Sequence, residues 1–346
     1  MKRKLIKIVP LMVIGLWIYV SLYYIQWGKI NWIETVPYGA ENFINLMQGL
    51  IFGLPFCSLG IYYILYRLGV YNRVARAMTL KVLHIGSTAG IGSNLAYFMK
   101  CYYDINSWVM IRRRYDQYNL SNEFVKSLEC SFKEYLIRVW IKGLTFDIIH
   151  IHGADKTLRI LKRTFPYKNK KIIIHYHGSH IRDRWEEKRF RWKYADKIIV
   201  STPDLLIGAP EGTEYLPNVI NEKICDLHKR EEKERDLGFH VYHEANDEAT
   251  EYFHVHGVRG IFHYPEIDSL DHHDFLKKLS GYEYYIDVKR KKGKILEAMS
   301  VTGLEALYMG VKVIKWDGRL ISDFPVQHQS INVCSKLKEI YEDLMK

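Results

Sequence analysis

Residues 146–201 read FDIIHIHGADKTLRILKRTFPYKNKKIIIHYHGSHIRDRWEEKRFRWKYADKIIVS. Three runs within it, FDIIHIH (146–152), KIIIHYH (171–177) and DKIIVS (196–201), are short, rich in isoleucine and apolar on both alternations. A strand that is apolar on both faces must be covered on both faces. These runs therefore predict central strands of a parallel sheet, with the mixed segments between them as crossover helices. Upstream, KVLHI (81–85) opens onto the small-residue turn GSTAGIGSN (86–94) and then the helix-like NLAYFMKCYY (94–103), a further strand-turn-helix unit. Together they predict a doubly wound α/β domain.

The pattern ends at EYLPNVIN (214–221), and the polar run NEKICDLHKREEKERD (221–236) reads as a linker or an exposed helix. A second α/β unit is expected from near Gly238. Its candidate strands are FHVYH (239–243), RGIFHYP (259–265), YEYYIDV (282–288) and VKVIKW (311–316). SKLKEIYEDLMK (335–346) is expected to be a helix that packs back across the domain boundary. The predicted fold is thus α/β, with two Rossmann-like doubly wound domains at 80–221 and 222–346.

Residues 1–79 have a different character. LIKIVPLMVIGLWIYVSLYYI (5–25) carries one charge, Lys7, and LIFGLPFCSLGIYYILY (50–66) carries none. About twenty apolar residues span a hydrocarbon core, so a transmembrane hairpin is expected, with helices at about 5–25 and 45–66. Lys2, Arg3 and Lys4 precede the first run and Arg67, Arg73, Arg76 and Lys81 follow the second, whereas Lys29 is the one cation between them. The positive-inside rule then makes both ends cytoplasmic. A cleaved signal peptide fits less well, because no small-residue cleavage site follows the first run. The expected location is the cell membrane, multi-pass with two helices and with cytoplasmic catalytic domains.

The chain has 346 residues, 48% hydrophobic and 26% charged, which fits a folded protein rather than a disordered one. Its formal net charge is +11, suited to anionic membranes, phosphate-bearing substrates or nucleic acid. The five cysteines are scattered, without a Cys-x-x-Cys pair, as thiols of a reducing compartment are.

The small residues at Gly86, Gly90 and Gly92 allow backbone amides to approach an anion at a helix N-terminus, but the same spacing serves an ordinary tight turn. It is neither the dinucleotide fingerprint nor a Walker phosphate loop. His-x-His occurs at 150/152, 175/177 and 254/256, where strand alternation points both members of a pair to one face. That suits zinc, yet no carboxylate stands at ligand spacing, so a single histidine at a strand's carboxyl end is the preferred reading and no metal site is expected.

EAMSVTGLEALYMGVKV (297–313) sets Glu297 and Glu305 eight positions apart, before a glycine stop and a β-branched strand. This stretch resembles the E-x7-E region of retaining GT-B glycosyltransferases of the glycogen-synthase-like group, family four. The glycine loop, FDIIHIHG, IIIHYHG, ADKIIVSTP and LPNVIN follow the family's order, and the resemblance covers roughly residues 80–320. It implies that Glu305 binds the donor ribose and Glu297 lies near the donor sugar. His177 would contact the transferred sugar, and Gly90 and Gly92 would border the cleft. Thr302, Gly303 and Leu304 would offer amides to the diphosphate. The family's Gly-Arg-Leu...Lys-Gly element is replaced here by HVYHEANDEATEYF (240–253), which leaves Arg259, Lys289 or Arg290 to supply the cations.

The function so implied is a metal-independent, hexosyltransferase-type glycosyltransferase that works on a lipid-linked or glycan acceptor, with retention of configuration. It takes no cofactor, the nucleotide-sugar being a co-substrate. The basic stretch from Lys156 to Lys197 would meet an anionic membrane surface, and nucleic acid is not an expected partner. Two alternatives are a noncatalytic GT-B-like binding subunit of a glycan-assembly complex and a histidine-metal membrane hydrolase.

Overall fold

The computed structural model describes residues 80–116, 125–153, 155–164, 167–242, 245–265, 270–291 and 293–346. The expected transmembrane hairpin lies outside them. No helix among the described residues is long and apolar enough to cross a membrane.

The first sheet has seven strands, all parallel: β1 Lys81–Ile85, β2 Asn106–Arg112, β3 Val125–Leu128, β4 Ile148–His152, β5 Lys171–Tyr176, β6 Lys197–Val200 and β7 Glu214–Tyr215, in the order β3-β2-β1-β4-β5-β6-β7. The four runs singled out in the sequence are β1, β4, β5 and β6, and β4 is buried at every residue. Leu83, Ile85, Ile149, Ile151, Ile172 and Ile174 face one way. They pack with Tyr135 and Val139 of α2 (Phe132–Gly143) and with Leu158 and Leu161 of α3 (Asp155–Lys162). Val82, Ile148 and Ile173 face the other way, toward Ile91, Leu95 and Phe98 of α1 (Ile91–Tyr103).

After the short helices α4 (Arg189–Trp192) and α5 (Glu222–His228), the second sheet runs β14-β13-β10-β8-β9. Its strands are β8 Glu234–Val241, β9 Arg259–His263, β10 Tyr282–Asp287, β13 Lys312–Lys315 and the antiparallel edge β14 Leu320–Ile321, while Arg290–Lys291 (β11) and Lys294–Ile295 (β12) form a separate hairpin. Helices α6 (Asn246–Val255), α7 (His272–Leu279) and α8 (Val301–Tyr308) accompany it. β8 begins at Glu234, earlier than the expected Gly238, because its first three residues are exposed and tolerate charge.

The last helix, α9 (Ser330–Met345), leaves the second sheet. Its Val333, Cys334, Leu337, Ile340 and Tyr341 join the first sheet's core against α1. Glu222 anchors its start, accepting from the Ser330 amide at 2.6 Å and the Ser330 hydroxyl at 2.7 Å.

Candidate functional site

In open parallel sheets ligands bind beyond the strands' carboxyl ends, and there β1 turns into α1. Gly90 caps α1 with φ +75°, a conformation suited to glycine. A Cβ at Gly92 would stand 2.7 Å from the Gly86 carbonyl oxygen and 3.0 Å from His152 Cδ2. The glycine loop is therefore fitted to a histidine at the end of β4. Ser87 ties it down, its hydroxyl accepting from the Ser93 amide at 3.0 Å.

His152 belongs to a ladder. His84 of β1, His150 and His152 of β4, His175 of β5 and His177 just beyond it are all buried and share one face, because the parallel register sets His84 beside His150 and His152 beside His175. His84 Nδ1 and His152 Nε2 share a hydrogen bond of 3.0 Å, and His152 Nδ1 and His177 Nε2 one of 3.1 Å. His150 Nδ1 meets the Tyr341 hydroxyl of α9 at 2.8 Å. The His150 and His152 rings stack with centroids 4.4 Å apart, while those of His175 and His177 meet tilted at 4.2 Å.

Burial drives the ladder neutral. It pushes His84 down to about 3, and burial together with the His180 charge pushes His177 down to about 3. Burial first, and then their histidine neighbours, hold His150, His152 and His175 well below the ordinary imidazole range. Each ring therefore carries one donor and one acceptor. His84 Nε2, His150 Nε2, His177 Nδ1 and both nitrogens of His175 have no hydrogen-bond partner among the described residues. A buried polar atom left so costs about 1–3 kcal/mol.

In the second sheet, β10 ends at the buried Asp287, whose Oδ2 accepts from the Ser300 amide at 2.7 Å. Ser300 caps α8, its hydroxyl accepting from the Gly303 amide at 2.9 Å, and the Leu304 amide donates to the Ser300 carbonyl at 3.1 Å. The cap thus engages two of the three amides expected to face a diphosphate, Thr302 being the third. A Cβ at Gly303 would lie 2.5 Å from Asp287 Oδ2, so this position requires glycine.

Glu305 lies inside α8 and is 4% exposed, not on an outer surface. His272 Nε2 donates to its Oε1 at 2.9 Å from the start of α7. Burial pulls the His272 imidazole down, but the hydrogen bond and charge of Glu305 and the charge of Asp271 outweigh it, and the net shift is upward. Glu297 stands in the exposed loop before α8.

The candidate cations separate. Lys289 and Arg290 follow the carboxyl end of β10, where a phosphate would sit, and Arg290 is ion-paired with Glu248 of α6. Arg259 opens β9, at the amino end of a parallel strand, whereas Lys289 and Arg290 follow a carboxyl end. The third His-x-His pair is also corrected. His254 lies in α6 and His256 just beyond it, so strand alternation does not apply to them. The basic stretch is not one free face either. Lys188 is buried, Lys162 pairs with Asp196 at 2.7 Å and Arg182 with Asp204 at 2.6 Å. Lys156, Arg159, Arg163 and Arg191 instead rim a cavity of about 380 Å³ with Phe132, Ile160 and Phe190.

His84, Tyr341, His272 and Asp287 were not anticipated from the sequence. His84 had a local signal, since it alternates with Val82 in a strand otherwise apolar, whereas Tyr341, His272 and Asp287 act through partners 191, 33 and 13 positions away.

No protein-family model matches the sequence, and no curated protein matches it. Among solved structures the chain is similar to AviGT4, a glycosyltransferase involved in avilamycin A biosynthesis, with 13% identity, a TM-score of 0.49 and coverage of 77% of this chain and 98% of that one. It is similar to HepE from Anabaena in complex with UDP-glucose, with 12% identity, a TM-score of 0.45 and coverage of 76% and 90%. A putative UDP-N-acetylglucosamine 2-epimerase from Listeria monocytogenes gives 13% identity, a TM-score of 0.40 and coverage of 78% and 90%.

Proposed function

We propose that the protein transfers a sugar from a nucleotide-sugar donor to an acceptor, with retention of configuration. The observation that carries this reading is the arrangement of the sheets. A parallel sheet and a second sheet that is parallel but for its edge strand follow one another, the final helix returns from the second to the first, and Glu305 is held in α8, which connects the neighbouring strands β10 and β13. That is the layout the sequence motifs imply.

In this reading Glu305 grips the donor ribose, with His272 orienting its carboxylate. The bond from the anomeric carbon to the nucleotide diphosphate breaks, and the growing negative charge is met by the Thr302 amide and by Lys289 and Arg290. His177 contacts the sugar through Nδ1, because its Nε2 is engaged by His152. Glu297 approaches the sugar from the loop before α8. Thermal stabilisation and sugar release across a panel of UDP-, GDP- and ADP-sugars test the reading. A donor that raises the melting temperature and is turned over supports it, and a panel without either effect overturns it.

One feature favours a second reading, nucleotide binding without turnover. The Asp287 carboxylate already engages the amino end of α8, where a diphosphate would be expected. Stabilisation by a nucleotide without sugar release would select that reading.

We also propose that the acceptor is lipid-linked or a glycan at an anionic membrane. α2 turns Ile137 and Ile141 outward at 59% and 57% exposure, and its Phe132 adjoins the cavity rimmed by Lys156, Arg159, Arg163 and Arg191. Apolar residues flanked by cations suit a lipid surface. Removing residues 1–79 is expected to release the protein from the membrane fraction while leaving salt-sensitive binding to anionic vesicles. Unchanged fractionation would count against the anchor.

A further inference from the structure

The ladder contains more nitrogen ligands than its hydrogen bonds use. We infer that His152, His175 and His177 form a site for one divalent transition-metal ion, with zinc the best match. The ligand atoms of these three residues lie within 4.8 Å of one another, and all three side chains are buried. His175 is the ladder member with neither nitrogen partnered among the described residues, which marks it as a ligand rather than a hydrogen-bonded core histidine.

One pair already stands near the separation a tetrahedral ion needs, and His175 closes on it by a side-chain adjustment. His152 Nδ1 and His177 Nε2 are 3.1 Å apart, and a tetrahedral ion with Zn–N bonds of about 2.0–2.1 Å asks for about 3.3 Å. With Nδ1 on the ion, His152 donates its Nε2–H to His84 Nδ1, the 3.0 Å contact already present and a usual outer support for a ligating histidine. With Nε2 on the ion, His177 keeps Nδ1–H for a substrate hydroxyl. His152 ends β4 and His177 directly follows β5, so the site lies at the carboxyl ends of the strands, beside the glycine loop. A second group, His84, His150 and His152, shares one residue with this site but includes no histidine with both nitrogens unpartnered among the described residues.

The inference does not depend on sugar transfer, because metal content is read without activity. Full-length protein carrying a tag without histidine is expressed with added zinc and assayed by elemental analysis. It is then stripped and titrated with cobalt, and the visible bands of four-coordinate cobalt are recorded. About one equivalent per chain is expected. His175→Gln should abolish binding, His150→Gln should retain it, and His84→Gln should weaken cobalt affinity about 10–100-fold. If His175→Gln fails to fold by circular dichroism, His177→Gln carries the same expectation. Folded wild-type protein holding less than about a tenth of an equivalent of either metal overturns the site. So does retention of metal by a folded ligand variant, or loss on His150→Gln alone.

Discussion

Glu305 and His272 test the donor site one side chain at a time. Glu305→Gln keeps the shape and removes the charge, and it should weaken nucleotide-sugar binding about tenfold or more, the size of one lost charge-assisted hydrogen bond. An unchanged dissociation constant would remove the ribose role. The stability the pair contributes should also depend on pH. The folded pKa of His272 is raised, so its contribution is complete below the unfolded value of 6.5 and fades as the pH climbs through the folded one. The gap in melting temperature between wild type and His272→Gln should therefore be wider at acid than at alkaline pH. Gly92→Ala should cost about 1–3 kcal/mol in denaturant, because its Cβ would meet the backbone of Gly86 rather than a side chain that can move. The sequence made the glycines legible as a turn, but not their reason, since His152 comes from a strand dozens of residues later. Glu305 was legible by its spacing. His272 was not, because 33 residues separate the two and neither neighbourhood mentions the other.

Among the elements, the strands buried on both faces were the easiest to foresee. β1, β4, β5 and β6 carry their location in an unbroken apolar run, whereas the charged start of β8 concealed a strand inside what reads as a linker. The final helix α9 was foreseen as a helix that crosses back, and its apolar stripe supplies the reason. What pattern alone could not give is the polar contact inside that seam. Tyr341→Phe removes the hydroxyl that meets His150 Nδ1 and leaves a buried nitrogen unpaired. A loss of about 1–3 kcal/mol is expected, read as a lower urea midpoint with an unchanged slope. No loss would mean that His150 finds another partner.

For the whole molecule, the ladder makes acid the natural denaturant. His84 and His177 are held near 3, so between pH 6.5 and 3 the unfolded chain binds protons that the native chain refuses. These two alone remove about 2.7 kcal/mol of stability per pH unit, and the other three act in the same direction. Against a typical total of about 5–15 kcal/mol, cooperative unfolding near pH 5 is expected in circular dichroism, and a native signal persisting well below that pH would refute neutral burial. The crossing helix has a consequence during synthesis. His150 and Tyr341 are 191 residues apart, so the first sheet must wait for its last layer until that much more chain has left the ribosome. At about 5–20 residues per second this is roughly 10–40 s, during which the part of the sheet face that α1 does not cover stands open, a window in which nascent chains would depend on chaperones and a premature stop would strand the earlier half unfinished.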